Sequence, residues 1–172
     1  MKRLQSLIIG ILAISLLDGC IKNELTTFTA PVVEFDAASW NANGPGLTYP
    51  ILTRVPGYGR VANTSDPLLT RLSPGIKLFR INLIGQQLPT GTDVFVILGS
   101  GTTAVAGTHY RIASGNVKIP AKSSFVEFPV EILNPGTSSA TPVDLNLTLS
   151  GGSNNIKISE NYKTIGLRIS QL

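Results

Sequence analysis

Residues 143–149 read Val-Asp-Leu-Asn-Leu-Thr-Leu, and this alternation constrains the fold more than any other stretch of the chain. A period of two places Val143, Leu145, Leu147 and Leu149 on one face and Asp144, Asn146 and Thr148 on the other, as a half-buried β-strand requires. On a helix the same leucines would scatter around the whole circumference. The pattern recurs. Phe79, Ile81 and Leu83 alternate with Arg80 and Asn82. Val126, Phe128, Val130 and Ile132 alternate with Glu127 and Glu131 within 124–133, and Ile165, Leu167 and Ile169 with Gly166 and Arg168. Val33 and Phe35 share a face in a short opening strand, 31–36, while Val117 and Ile119 form a brief strand closed by Pro120. Asp93 to Leu98 is almost continuously apolar and predicts a strand buried on both faces or packed at the centre of a sandwich.

No stretch of helical period follows residue 20. About seven short strands separated by Gly, Pro and Asn turns point to an all-β, antiparallel β-sandwich. The absence of a Cys-Trp-Cys spacing excludes an antibody-type domain. Residues 37–75 are the weak part: Asn43-Gly44-Pro45-Gly46, Pro56-Gly57-Tyr58-Gly59 and Ser73-Pro74-Gly75 mark turns. Leu47 to Val55 reads as an irregular edge strand, since Pro50 is unsuited to a central one. So long a stretch without pattern is unusual for a plain loop and predicts further strand within it.

The amino terminus carries a different signal. Lys2 and Arg3 precede an uncharged apolar run of 11 residues, Leu7 to Leu17. As a helix it would span ~17 Å against a hydrocarbon core of ~30 Å, which is the size of a secretory signal and too short to cross a bilayer. Leu17-Asp18-Gly19-Cys20 then resembles a bacterial lipobox, although Asp18 stands where a small residue is usual. The resemblance implies cleavage after residue 19 and an outer-membrane lipoprotein of the bacterial cell envelope, its lipid attachment at Cys20. Covalent diacylglycerol and an N-acyl chain would hold it to the membrane; no other cofactor is expected. Two or more acyl chains anchor durably where one does not. Cys20 is the only cysteine, so no disulfide can form within the chain. Residues 20–30 read as the lipidated cysteine and a flexible tether, although Leu25 and Phe28 are also suited to begin a strand. Residues 31–172 read as one β-sandwich domain.

Fourteen Lys and Arg against 10 Asp and Glu give the chain a net charge of +4. Arg54, Arg60, Arg71, Arg80 and Arg111 are spread singly, and without a basic patch or stripe nucleic acid is not an expected partner. Gly57-Tyr58-Gly59-Arg60-Val61-Ala62 fits a dinucleotide-binding pattern, but turn residues follow it where a helix is needed. His109 has no second histidine or cysteine with which to hold zinc. Glu127 and Glu131 lie ~13 Å apart along a strand, beyond the ~5–9.5 Å of glycosidase carboxylate pairs. Asn63-Thr64-Ser65 and Asn146-Leu147-Thr148 match a glycosylation sequon but read as turn and strand residues. With no nucleophile, acid or base constellation, a non-catalytic protein is expected. Trp40, Tyr49 and Tyr58 lie in the Gly/Pro-rich region. Aromatics on loops over a rigid scaffold suit a ligand-binding rim; the alternative is that Trp40 plugs one end of the core and the tyrosines pack with their hydroxyls at the surface.

Gly107-Thr108-His109-Tyr110-Arg111-Ile112, then Ser114 to Ala121, then Phe125-Val126-Glu127-Phe128-Pro129-Val130, resembles a Calx-beta-type module. The resemblance implies an immunoglobulin-like sandwich. With the lipobox, the chain is also similar to small outer-membrane lipoproteins found with polysaccharide-uptake systems, which implies binding or assembly at the envelope. A glycan, a peptide or another envelope protein would be the partner; a structural or adhesive module is the alternative. Calcium-binding members of the family place acids at strand ends. Here His109 stands in place of Asp, and Asn134-Pro135-Gly136 follows the long strand, so no metal is expected.

Overall fold

The computed structural model describes residues 30–172. The leader 1–19, Cys20 and the tether as far as residue 29 lie outside the described residues. No helix among the described residues is long and apolar enough to cross a membrane.

The elements run β1 (Val32–Phe35), α1 (Asp36–Trp40), β2 (Ile51–Leu52), β3 (Gly75–Ile84), β4 (Thr92–Leu98), β5 (Tyr110–Arg111), β6 (Asn116–Ile119), β7 (Phe125–Ile132), β8 (Val143–Gly152), β9 (Lys157–Ile158) and β10 (Thr164–Ile169). They form two five-stranded sheets, β5-β7-β3-β1-β9 and β2-β10-β8-β4-β6. Every strand of four or more residues is one that apolar alternation or an apolar run predicts; β2, β5 and β9 have two residues each. All pairings are antiparallel except β1 with β9 and β10 with β2. Both exceptions put a two-residue strand at a rim, so the sheets are antiparallel in the middle and mixed at the edge.

Register explains the core. Phe79 lies opposite Phe128 and Ile81 opposite Val126. Leu145 lies opposite Leu167 and Leu147 opposite Ile165. Apolar positions therefore fall on the inner faces, and Val33, Phe35, Ile81, Phe128, Ile132, Leu145, Leu147, Ile165 and Leu167 have no accessible surface. Pro129, mid-strand in β7, is tolerated because β5 pairs only with Glu131 and Ile132. Beside Pro129 that edge is open, so a missing N–H on that side breaks no ladder bond.

Two expectations need correction. β4 is buried on one face only: Val94 and Val96 point inward, as does Leu98 at the half-exposed end of the strand, but Phe95 and Ile97 point outward and are about half exposed. Its outward side chains are apolar without being covered, so a continuous apolar run here reads as a strand with an uncovered face. The segment expected to end as strand at Asp36 instead turns there into α1, five residues with no period to betray it. Ala37 and Ala38 are buried, and α1 touches both β3 and β10, closing one end of the sandwich.

Residues 37–75 do hold further strand, in β2 at a sheet edge and in bridges from Arg54 to Leu68 and from Thr70 to Ser170. A polar clasp holds the rest. Arg60 donates to both oxygens of the buried Asp66 carboxylate, Asn63 N–H donates to it at 2.9 Å, and Arg54 Nη1 donates to the Asp66 carbonyl at 2.5 Å. The Arg60 hydrogen bond first, then that of the Asn63 backbone, hold the Asp66 carboxyl down at about 2.

Candidate ligand cleft

The inward turn of Phe79 and Ile81 leaves Arg80 and Asn82 on the outer face of β3, beside Phe125 and Glu127 of β7. The loop from Pro56 to Arg60 crosses this face and sets Tyr58 down on it. The Arg80 guanidinium carbon stands 3.7 Å from the Phe125 ring centroid and 4.9 Å from that of Tyr58, a cation held between two aromatic faces. Glu127 is directly opposite Arg80 in register, yet its carboxylate accepts the Tyr58 hydroxyl. Arg80 Nε donates to Asn82 Oδ1 at 2.8 Å, and Asn82 Nδ2 donates to Asp36 Oδ1 at 2.8 Å. Among the described residues its two terminal nitrogens meet no acceptor.

Asp36 fixes the loop to the sheet. It is buried at the first position of α1, where the helix end favours a negative charge. Its second oxygen accepts the Gly59 N–H at 2.9 Å. Gly59 presents that N–H from a left-handed conformation (φ +67°) that a side chain would strain. Partial desolvation against the sheet, the hydrogen bond to Glu127 and that carboxylate's charge push the Tyr58 hydroxyl up to about 12. Tyr58 therefore stays a neutral donor at any ordinary pH.

The structure separates the three aromatics. Tyr58, 45% exposed, lies on the outer face of the first sheet. Tyr49 lies over Gly166 of β10, on the outer face of the second sheet, with Cε2 3.3 Å from where a Cβ would stand. Trp40 ends α1 with half its surface exposed, leaving Ala37 and Ala38 to close the core. Nothing in the sequence marks Asp36, Arg80 and Asn82 as a site, and Glu127 reads there only as part of a solvated face. Outward position on a strand was the one available signal for Arg80 and Asn82.

The remaining motif residues have structural partners. The half-buried His109 accepts the Val105 N–H at Nδ1 (2.9 Å), which tightens the turn before β5. Glu131 pairs with Arg111 at 2.8 Å. Asn63 Oδ1 accepts from Ser65 in its own turn. Asn146 is buried in β8 with Nδ2 given to the Ser100 carbonyl at 2.7 Å, and its Oδ1 meets no donor among the described residues. Among the described residues, no three His, Cys, Asp or Glu side chains gather as a metal site would need.

No family model and no curated protein matches the sequence. Solved structures do resemble it. An apo-form Calx CBD1 domain is 20% identical, with 56% of this chain and 83% of that one covered and a TM-score of 0.45. A Calx CBD2 domain is 10% identical over 81% of this chain and 87% of its own, with a TM-score of 0.48. A two-domain protein with unknown function from Bacteroides fragilis NCTC 9343 is 7% identical over 82% of this chain, with a TM-score of 0.49; this chain covers 45% of its length. These are likenesses of fold, and the two-sheet architecture itself rests on the strand pairing described above.

Proposed function

We propose that the protein is a non-catalytic, lipid-anchored binding module of the bacterial envelope. In this reading Cys20 carries the anchor and the outer face of β3 and β7 captures a glycan. The observation that carries the ligand site is Tyr58: a half-exposed aromatic, held by Glu127 and Arg80, beside a cleft lined with amide, hydroxyl, carboxylate and guanidinium groups. Such a mixture offers a sugar both a ring face and convergent polar partners. β3 is paired on both sides, by β7 and β1, so a peptide cannot add to it as a strand. A glycan array probed with the full chain tests the capture. Binding that disappears in Tyr58→Ala supports it, and a chain that binds no glycan refutes it. Intact-mass analysis of membrane-extracted protein tests the anchor, which requires an acylated residue 20 as the mature terminus.

One observation favours a structural or adhesive role instead. β6 pairs with β4 from Thr92 to Phe95 and the Gly115 carbonyl takes the Val96 N–H at 2.7 Å, so the edge is open only beyond Val96, beside exposed Ile97 and Leu98. In that case Leu98→Asp abolishes self-association or partner binding and leaves the array unchanged.

A further inference from the structure

Resting on the saccharide reading above, we infer that the cleft takes a glycoside bearing an apolar substituent, the sugar and the substituent lying on opposite sides of Tyr58. Tyr58 borders two cavities of different chemistry. One, of about 430 Å³, is lined by Asp36, Arg80, Asn82 and Ser124. The other, of about 460 Å³, is walled by Val55, Pro56, Pro67, Ile76 and Leu78. Both fall within the ~300–1,000 Å³ of small-molecule sites.

Of the polar side chains of the second cavity, the Asp66 carboxylate is already engaged by Arg60, and Lys77 makes one long contact, Nζ donating to Ser73 Oγ at 3.4 Å. What it offers a ligand is aliphatic surface, with Ile76 67% and Leu78 40% exposed on the outer face of β3. In the first cavity Asp36 and Asn82 are engaged with each other, with Gly59 and with Arg80 Nε. The terminal nitrogens of Arg80, held between the Phe125 and Tyr58 rings, and the hydroxyl hydrogen of Ser124, whose oxygen accepts from Gln87, are what it offers a ligand. A chain of identical sugar units would be expected to meet two subsites of similar chemistry. Here one suits hydroxyl groups and the other an aryl or acyl group. Leu78 and Arg80 are two residues apart on the same face, ~7 Å, within reach of one glycoside and its aglycone.

Calorimetric titration of the full chain with the methyl and phenyl β-glycosides of glucose, galactose and mannose tests this. For a sugar that binds, the phenyl form should bind about tenfold more tightly than the methyl form, the gain expected from burying an aromatic ring. Leu78→Ser and Ile76→Ser, exposed positions whose variants should melt like the parent, should bring that ratio close to one and leave the methyl glycoside's affinity unchanged. Equal affinity for methyl and phenyl forms overturns the inference while leaving glycan capture standing. A phenyl gain that survives both substitutions also overturns it. If none of the six compounds binds, this inference falls, and the array alone decides the capture reading.

Discussion

Glu127 and Phe128 are neighbours in sequence, and the fold assigns them opposite fates. Phe128 has no accessible surface and faces Phe79 across the ladder. Truncation to alanine removes a whole aromatic ring from between the sheets, a change that costs about 3–5 kcal/mol where the cavity cannot collapse. Sheets held on both sides by paired strands have little freedom to collapse, which places the cost in the upper part of that range. For a domain of this size a kcal/mol corresponds to ~3–4 °C, so Phe128→Ala should lower the melting temperature by ~10–20 °C. Glu127→Ala instead removes the acceptor of one hydrogen bond at an exposed tyrosine, worth ~0.5–1.5 kcal/mol or no more than ~6 °C. Thermal melts followed by far-ultraviolet circular dichroism, with urea titrations beside them, measure both. Equal losses for the two variants, or a larger one for Glu127→Ala, would refute the assigned register of β7.

Gly166→Val should destabilise by at least ~1–3 kcal/mol in urea titration, as overpacking does; a Cβ there would stand 2.3 Å from Ile51 Cδ1 and 2.9 Å from Asn146 Oδ1. Asp66, held at about 2 against an ordinary 3.8, adds stability that is complete above roughly pH 4 and lost as pH falls through about 2. Urea midpoints measured from pH 6 to pH 2 should therefore fall more steeply for the parent than for Asp66→Asn. Ultraviolet titration should show Tyr58 ionising at about 12, and Glu127→Gln should bring it down by removing both the charge and the carboxylate acceptor.

Much of the fold was legible because alternation records burial directly. In β8, in β10 and over Phe79 to Leu83 of β3 the covered face is apolar and the other carries polar side chains or glycine, so the inward residues can be named from the sequence; the outer face of β3 turns apolar again at Ile76 and Leu78. β4 misled for the same reason: Phe95 and Ile97 are apolar on the outer side, where both stay about half exposed, and hydrophobicity alone does not say which neighbours exist. The two-residue strands β2, β5 and β9 carry no period at all. They exist because longer neighbours offer them a partner. The cleft was nearly invisible for a different reason. Tyr58, Arg80 and Glu127 lie far apart in the chain, and only the pairing of β3 with β7 beneath a glycine-hinged loop brings them together. Trp40 and Tyr49 share Tyr58's aromatic character and its loop region. They lie at an end of the sandwich and on its opposite face, distinctions that depend on strand order.

Hydrogen exchange of the full chain with and without a glycan that it binds tests the account most directly. Protection should appear in the loop from Gly57 to Arg60 and in residues 78–84 of β3, with the amides of Ile97 and Leu98 unchanged. Protection confined to the open edge of β4, or none on the outer face of β3, would contradict it.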